Sequence, residues 1–227
     1  MTPQLPLNLR TPPDQRLDAF HGQPDACAAV RAVARGESRD WLYLSGPAGS
    51  GKSHLLLAAC AEATGCGHRS AYLPLPSFAG RLADLLPSQE GAALVCLDGL
   101  EAIAGNAGDE EALFHFHNRA RAGSTVLVYA GRAAPAGLGL SLPDLATRLS
   151  QCTRITLEPL DEAGRREVLV QRAARRGLEL DPPVLDYLMR RVDRDLASLT
   201  ALLDRLDKAS LAAQRRITIP FLKTQLL

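Results

Sequence analysis

A chain of 227 residues, 46% hydrophobic and only 4% aromatic, suits one large domain or a core with a small lid. Its 26 basic and 25 acidic side chains leave a formal charge of +1, so no global field draws it to nucleic acid or to a membrane surface. No apolar run approaches the ~20 residues that span a bilayer, and the N-terminus lacks the charged and apolar regions of a signal peptide, so the expected location is cytoplasmic.

The elements follow in chain order. Residues 1–16 carry four prolines and read as an extended leader. Within it, Gln4-Leu5-Pro6-Leu7-Asn8-Leu9 places leucines at alternate positions, giving one apolar edge headed by a glutamine. Burying each leucine yields ~1.5–3 kcal/mol, against ~1 kcal/mol or more per residue ordered. The strip therefore suits either a groove on a partner or the domain's own surface. A helix is expected over 24–35 and a buried strand over 41–44. After them, strands at 70–73, 92–97, 125–130 and 154–157 alternate with helices at 54–63, 77–86, 109–122 and 143–149. Such alternation predicts an α/β fold with a five-stranded parallel sheet covered on both faces. From Asp161 the pattern turns wholly helical, with helices expected at 161–176, 182–192, 195–213 and 220–227. The expected organisation is a leader (1–16), an α/β core (17–160) and an α-helical lid (161–227). Cys27, Cys60, Cys66, Cys96 and Cys152 are scattered, with no C-x-x-C, and read as mostly buried free thiols.

Gly46-Pro47-Ala48-Gly49-Ser50-Gly51-Lys52-Ser53 matches G-x-x-x-x-G-K-S/T between a strand and a helix. In that setting glycines let backbone N–H groups converge on phosphate at a helix N-terminus. Lys52 then neutralises the outer phosphates, and the Ser53 hydroxyl ligates Mg²⁺. The apolar strand ending in Asp98 reads as a Walker B segment, with a carboxylate holding Mg²⁺ through water. ATPases of this class carry a second acid next in line; here that position is Gly99, and Glu101 lies roughly 10 Å on if the chain stays extended. Without a general base, intrinsic hydrolysis is expected to lose ~10²–10⁴-fold. Two arginines stand apart from the solvated ones: Arg148, in a short helix before the last strand, and Arg194, where a lid helix begins. A lid arginine contacts phosphate in cis, and one at the opposite edge reaches a neighbour's nucleotide. Phe114-His115-Phe116-His117 puts its histidines at i and i+2, which favours ordinary helix packing over a metal site.

Together these residues resemble the AAA+ ATPases of the bacterial replication-initiator group, and within it the DnaA-related regulators of the Hda family. The likeness runs over essentially the whole chain: the P-loop continuing into Ser53-His54-Leu55-Leu56, the segment Leu142-Pro143-Asp144-Leu145-Ala146-Thr147-Arg148-Leu149, the Arg194 motif, and the ending Gln214-Arg215-Arg216-Ile217-Thr218-Ile219-Pro220-Phe221. The leader is similar to a clamp-binding hexapeptide, with Asn8 in place of its second proline.

The resemblance implies a regulator of chromosome replication initiation that docks on the DNA-loaded sliding clamp, contacts ATP-bound DnaA and stimulates hydrolysis of DnaA's ATP. Gln4, Leu5, Leu7 and Leu9 become clamp contacts, Arg148 an arginine finger acting in trans, and Arg194 the lid sensor. Phe20 and His21, with Leu17, fall where the family's linker lines the adenine pocket, and His54 adjoins the nucleotide. Gly131 stands where relatives carry a polar sensor. With Gly99 it removes two groups that would fire the chain's own nucleotide, which fits the family's tendency to work with ADP bound; the expected cofactors are ADP, or ATP, with Mg²⁺. No counterpart of the initiator's DNA-binding domain is expected, so DNA is expected to be met through the clamp, and a homo-oligomer is an expected possibility. The rival readings are a helicase-loader or transposition-helper ATPase, a small-molecule kinase, and an inert clamp-binding paralogue.

Overall fold

The computed structural model describes residues 15–191, 202, 203, 205, 206, 209 and 218–225. Two compact units emerge, an α/β body ending at Leu157 and a helical unit beginning at Glu158, with the loop Pro47–Ser50 grouped with the latter.

The body is built on five parallel strands, β1 (Leu42–Ser45), β2 (Ser70–Pro74), β3 (Leu94–Asp98), β4 (Val126–Gly131) and β5 (Thr153–Thr156), in the order β2-β3-β4-β1-β5. Strand residues alternate between two apolar layers, as the two-residue period requires. Leu42, Leu44, Cys96, Val128 and Ala130 pack on one face with α1 (Pro24–Ala34) and α2 (Lys52–Gly65). Tyr43, Val95, Leu97, Leu127 and Tyr129 pack on the other with α3 (Leu82–Leu85), α4 (Ala107–Ala122) and α5 (Pro143–Ser150). With both faces covered, the central strands are buried along their length, whereas β5 is largely exposed at the edge.

The helix expected over 77–86 is instead split. A 3-10 turn covers Leu75–Ser77, α3 covers only Leu82–Leu85, and a second 3-10 turn runs Leu86–Gln89. Gly80 at φ +81° and Pro87 punctuate the stretch, and Asp109 accepts the N–H groups of Gly80 and Leu82 that a helix would have used internally. The cysteines are free: Cys96 is fully buried, Cys27, Cys60 and Cys152 are half-buried against the two core layers, and Cys66 is exposed.

In the helical unit, α6 (Glu162–Arg175) is capped by Asp161, whose carboxylate accepts the Gly164 N–H at 2.7 Å. It ends at Gly177 (φ +71°), where the N–H of Leu178 returns to the Ala173 carbonyl. Then come α7 (Pro182–Arg191) and α8 (Ile219–Gln225). Two leucine-rich clusters hold the unit together: Val184, Leu188, Leu202, Leu206 and Leu222 in one, and Leu169, Ala173, Leu185 and Leu203 in the other. Arg166 adds an ion pair with Asp186.

Candidate functional site

The carboxyl ends of β1, β3 and β4 converge at one edge of the body, where open parallel sheets place ligands. β1 hands over at Gly46, whose N–H donates to the Gly131 carbonyl at 3.3 Å. The loop then passes Pro47, Ala48, Gly49 and Ser50, with a turn closed by the Ser50 N–H on the Pro47 carbonyl. Gly49 (φ +78°) and Gly51 (φ +94°) take backbone conformations that suit glycine. Gly51 caps α2, so Lys52 and Ser53 open that helix at its N-terminal end, the end that suits an anion. Lys52 is buried and folds back to donate to the Gly46 carbonyl at 2.5 Å. Burial pushes its ammonium pKa down, opposed by the carboxylates of Glu101 and then Asp98, while Arg132 adds to the lowering. Two acids and an arginine therefore lie within electrostatic reach of the P-loop lysine.

Asp98 ends β3 beside Ala130. It accepts a 2.7 Å hydrogen bond from the Tyr72 hydroxyl of β2, and Tyr72 also bonds to the Ser53 side chain. The Tyr72 phenol is pushed well above its ordinary pKa by burial first and by the Asp98 charge second. Tyr72 links the two residues expected to hold magnesium, a bridge that no local motif signals. The exposed Ser53 hydroxyl and the Asp98 carboxylate form the hard oxygen set that Mg²⁺ takes, and Lys52 with the α2 N-terminus suits a polyphosphate.

Glu101 corrects the extended-chain estimate. Gly99, at φ +83°, turns the backbone into a 3-10 turn over Leu100–Ala102. This brings Glu101 back toward Lys52. There its carboxylate pairs with the Arg132 Nε at 3.0 Å and accepts the Arg132 N–H at 3.1 Å. A side chain at 99 would also meet Pro76 at 3.0 Å, so glycine is required there by both conformation and space. A second acid thus stands within electrostatic reach of Lys52, but it is already engaged by Arg132.

Gly131 is closed to a sensor side chain. A Cβ there would lie 2.6 Å from the Tyr43 hydroxyl and 3.2 Å from Leu138. Tyr43 is fully buried and donates to the Ala133 carbonyl at 2.8 Å.

Ahead of α1, Phe20 covers the P-loop's last glycine: a Cβ on Gly51 would fall 2.6 Å from its ring. The ring meets His54 edge-on at 5.5 Å, and His54 Nε2 lies 3.0 Å from the Arg16 carbonyl. Leu17 is buried beneath this segment and His21 follows it, half-buried. Phe20 and His54 thus do meet at the P-loop.

Arg148 lies apart from this cluster, half-buried on α5, whose Leu145 and Leu149 anchor it to the sheet. It is close enough to His117 for its charge to help hold that imidazole neutral. Of the two histidines in the Phe-His-Phe-His run, His117 is buried against Trp41 and Tyr129, and His115 lies 3.5 Å from Glu111. Gln4, Leu5, Leu7, Leu9 and Arg194 lie outside the described residues. Among the described residues, no helix is long and apolar enough to cross a membrane.

Residues 161–226 match the family described as Hda, lid domain. The fold is similar to domain III of the Thermotoga maritima replication initiation protein DnaA, with a TM-score of 0.77 and 21% identity, over 92% of this chain and 94% of that one. It is similar to AMPPCP-bound DnaA from Aquifex aeolicus, with a TM-score of 0.70 and 22% identity, over 88% and 67% of the two chains. The Thermotoga maritima RuvB Holliday junction branch migration motor gives a TM-score of 0.65 at 21% identity, over 92% and 70%. At these identities the structural likeness is one of fold.

Proposed function

We propose that the chain is an Hda/DnaA-related AAA+ protein and a nucleotide-binding regulator of replication initiation, a reading supported by its likeness in fold to DnaA domain III and by the match of residues 161–226 to the Hda lid family. In this reading it docks on the DNA-loaded sliding clamp through Gln4, Leu5, Leu7 and Leu9 and stimulates hydrolysis of DnaA-bound ATP, which inactivates the initiator. The observation that carries the reading is the match of the lid segment to the Hda family.

The nucleotide is ADP or ATP with Mg²⁺. Gly46 to Ser53 would hold its phosphates, Asp98 would hold the metal through water, Phe20, His21 and His54 would adjoin the base side, and Arg194 would act as the lid sensor. A nucleotide held there would supply the polyphosphate that Lys52 neutralises; the chain's own residues have little to fire it with. Glu101 is engaged by Arg132, and Tyr43 fills the space a sensor at 131 would need. Two handicaps in one site favour a held nucleotide over a consumed one. The chemistry is then exported through Arg148, since an arginine presented to a neighbour's γ-phosphate is worth ~10³–10⁵-fold.

The test mixes the chain with clamp-loaded DNA and ATP-bound DnaA and follows nucleotide turnover. Arg148→Ala is expected to abolish stimulation with clamp binding intact. Leu5→Ala combined with Leu7→Ala is expected to abolish it by losing the clamp. Native stimulation by both variants would overturn the mechanism. Extracting the purified protein and identifying the bound nucleotide decides separately between ADP and ATP.

A further inference from the structure

Glu110 is a carboxylate with no exposure to solvent, placed in the first turn of α4. It makes three hydrogen bonds to backbone N–H groups from two loops. Its Oε1 accepts from Gly105 at 2.7 Å and from Ser141 at 3.0 Å, and its Oε2 accepts from Leu142 at 2.7 Å. A buried carboxylate is costly unless such donors surround it, and charge-assisted bonds of this length are the strong ones.

Two of these donors, Ser141 and Leu142, lead directly into α5. Leu142 is the N-cap residue of that helix, and its own side chain offers no capping bond. In a capping box the acid three residues into the helix returns to the N-cap N–H; in α5 that position is Leu145, which is buried in the core instead. Glu110 supplies the missing acceptor from another helix, with its negative charge at the N-terminal end of α5. Leu145 and Leu149, both fully buried, fix how α5 is rotated. Glu110 fixes where the helix starts. Arg148 sits six residues beyond Leu142, on a helix only eight residues long, so a shift at the start is carried to it undiminished.

We infer that Glu110 is a positioning residue for Arg148, setting where that guanidinium is presented to a partner's nucleotide. The inference rests on the trans-acting reading of Arg148 above. In Glu110→Gln the amide keeps the shape but can no longer serve both sides: one edge must turn an NH₂ toward backbone N–H groups. A displacement of about 1 Å at a catalytic group costs on the order of 10²-fold in rate.

The test compares native, Glu110→Gln, Arg148→Ala and the double variant, as full chains, on clamp-loaded DNA with ATP-bound DnaA. Glu110→Gln is expected to lower the maximal rate of DnaA-bound ATP hydrolysis by at least about tenfold. The concentration of regulator giving half-maximal stimulation, nucleotide binding and clamp binding should stay near native. Amide hydrogen exchange should quicken at 141–149, and the double variant should be no worse than Arg148→Ala alone. If Glu110→Gln fails to fold, Glu110→Asp, which withdraws the carboxylate by one methylene, takes its place in the same comparison. Native stimulation by the Glu110 variant, with Arg148→Ala inactive, overturns this inference and leaves the function intact. Native stimulation by Arg148→Ala overturns the function first, and the inference with it.

Discussion

The Tyr43 hydroxyl stands 2.6 Å from the point a Cβ on Gly131 would occupy, so these two residues of neighbouring strands share one space. Gly131→Asn alone should be overpacked and destabilise the fold by roughly 1–3 kcal/mol. Tyr43→Phe removes the nearest atom, and in that background Gly131→Ala should cost less than it does alone, with a coupling on the order of 1 kcal/mol. Denaturant unfolding of the single and double variants checks this; simple additivity would refute the shared-space account.

Glu101 and Arg132 hold each other at 3.0 Å beside Lys52. Because Arg132 is exposed, their pairing contributes little to stability, and Arg132→Ala should leave the midpoint of unfolding nearly unchanged. Its effect should appear in hydrolysis. If the proposed nucleotide site hydrolyses ATP, freed Glu101 should raise that rate at least about tenfold, part of the ~10²–10⁴ a placed base contributes. Adding Glu101→Gln should cancel the gain, and a rise that survives Glu101→Gln would rule out Glu101 as its source.

Gly51 combines φ +94° with a Phe20 ring that leaves no room for a Cβ. Gly51→Ala is therefore expected to lose nucleotide binding while costing about 1–3 kcal/mol of stability from backbone strain. Titration with a fluorescent ADP analogue reads the first effect and thermal unfolding the second. Phe20→Ala should not restore binding to Gly51→Ala, because the backbone strain remains.

His117 carries the clearest pH dependence. Burial first, then Arg148 and Arg121, holds its pKa down to about 4, against about 6.5 in the unfolded chain. The unfolded state therefore takes up a proton as pH falls below ~6.5 while the folded state resists until about 4. Stability should be full above that upper value and decline through the window, by on the order of 2 kcal/mol. His117→Gln should flatten this part of the profile, as measured by denaturant midpoints between pH 7 and pH 4.5. Equal slopes for native and variant would contradict the assignment.

Much of the architecture is legible in the residue order because the relevant signals are local. The apolar run before Gly46 and the glycine spacing of 46–53 specify strand, loop and helix from neighbours alone, and the observed β1 and α2 agree with it to within a few residues. The stretch 77–86 reads locally as one helix because its deciding partner, Asp109, is far along the chain. Glu101 departs from its expected place for the opposite reason. The signal is present in Gly99, but a glycine announces freedom to turn without saying in which direction.

From residue order alone came the P-loop and its lysine, the acid ending β3, the short helix that carries Arg148, and the alternation that makes a parallel sheet. Each depends on a short stretch whose chemistry or periodicity is complete in itself. Only tertiary structure decided that Tyr72 bridges Ser53 and Asp98, that Tyr43 closes position 131, that Arg132 engages Glu101, and that Glu110 caps the helix carrying Arg148. Those pairings join residues 26, 88, 31 and 32 positions apart. The strand order β2-β3-β4-β1-β5 and the close packing of both sheet faces bring them together, and no local pattern encodes such a meeting.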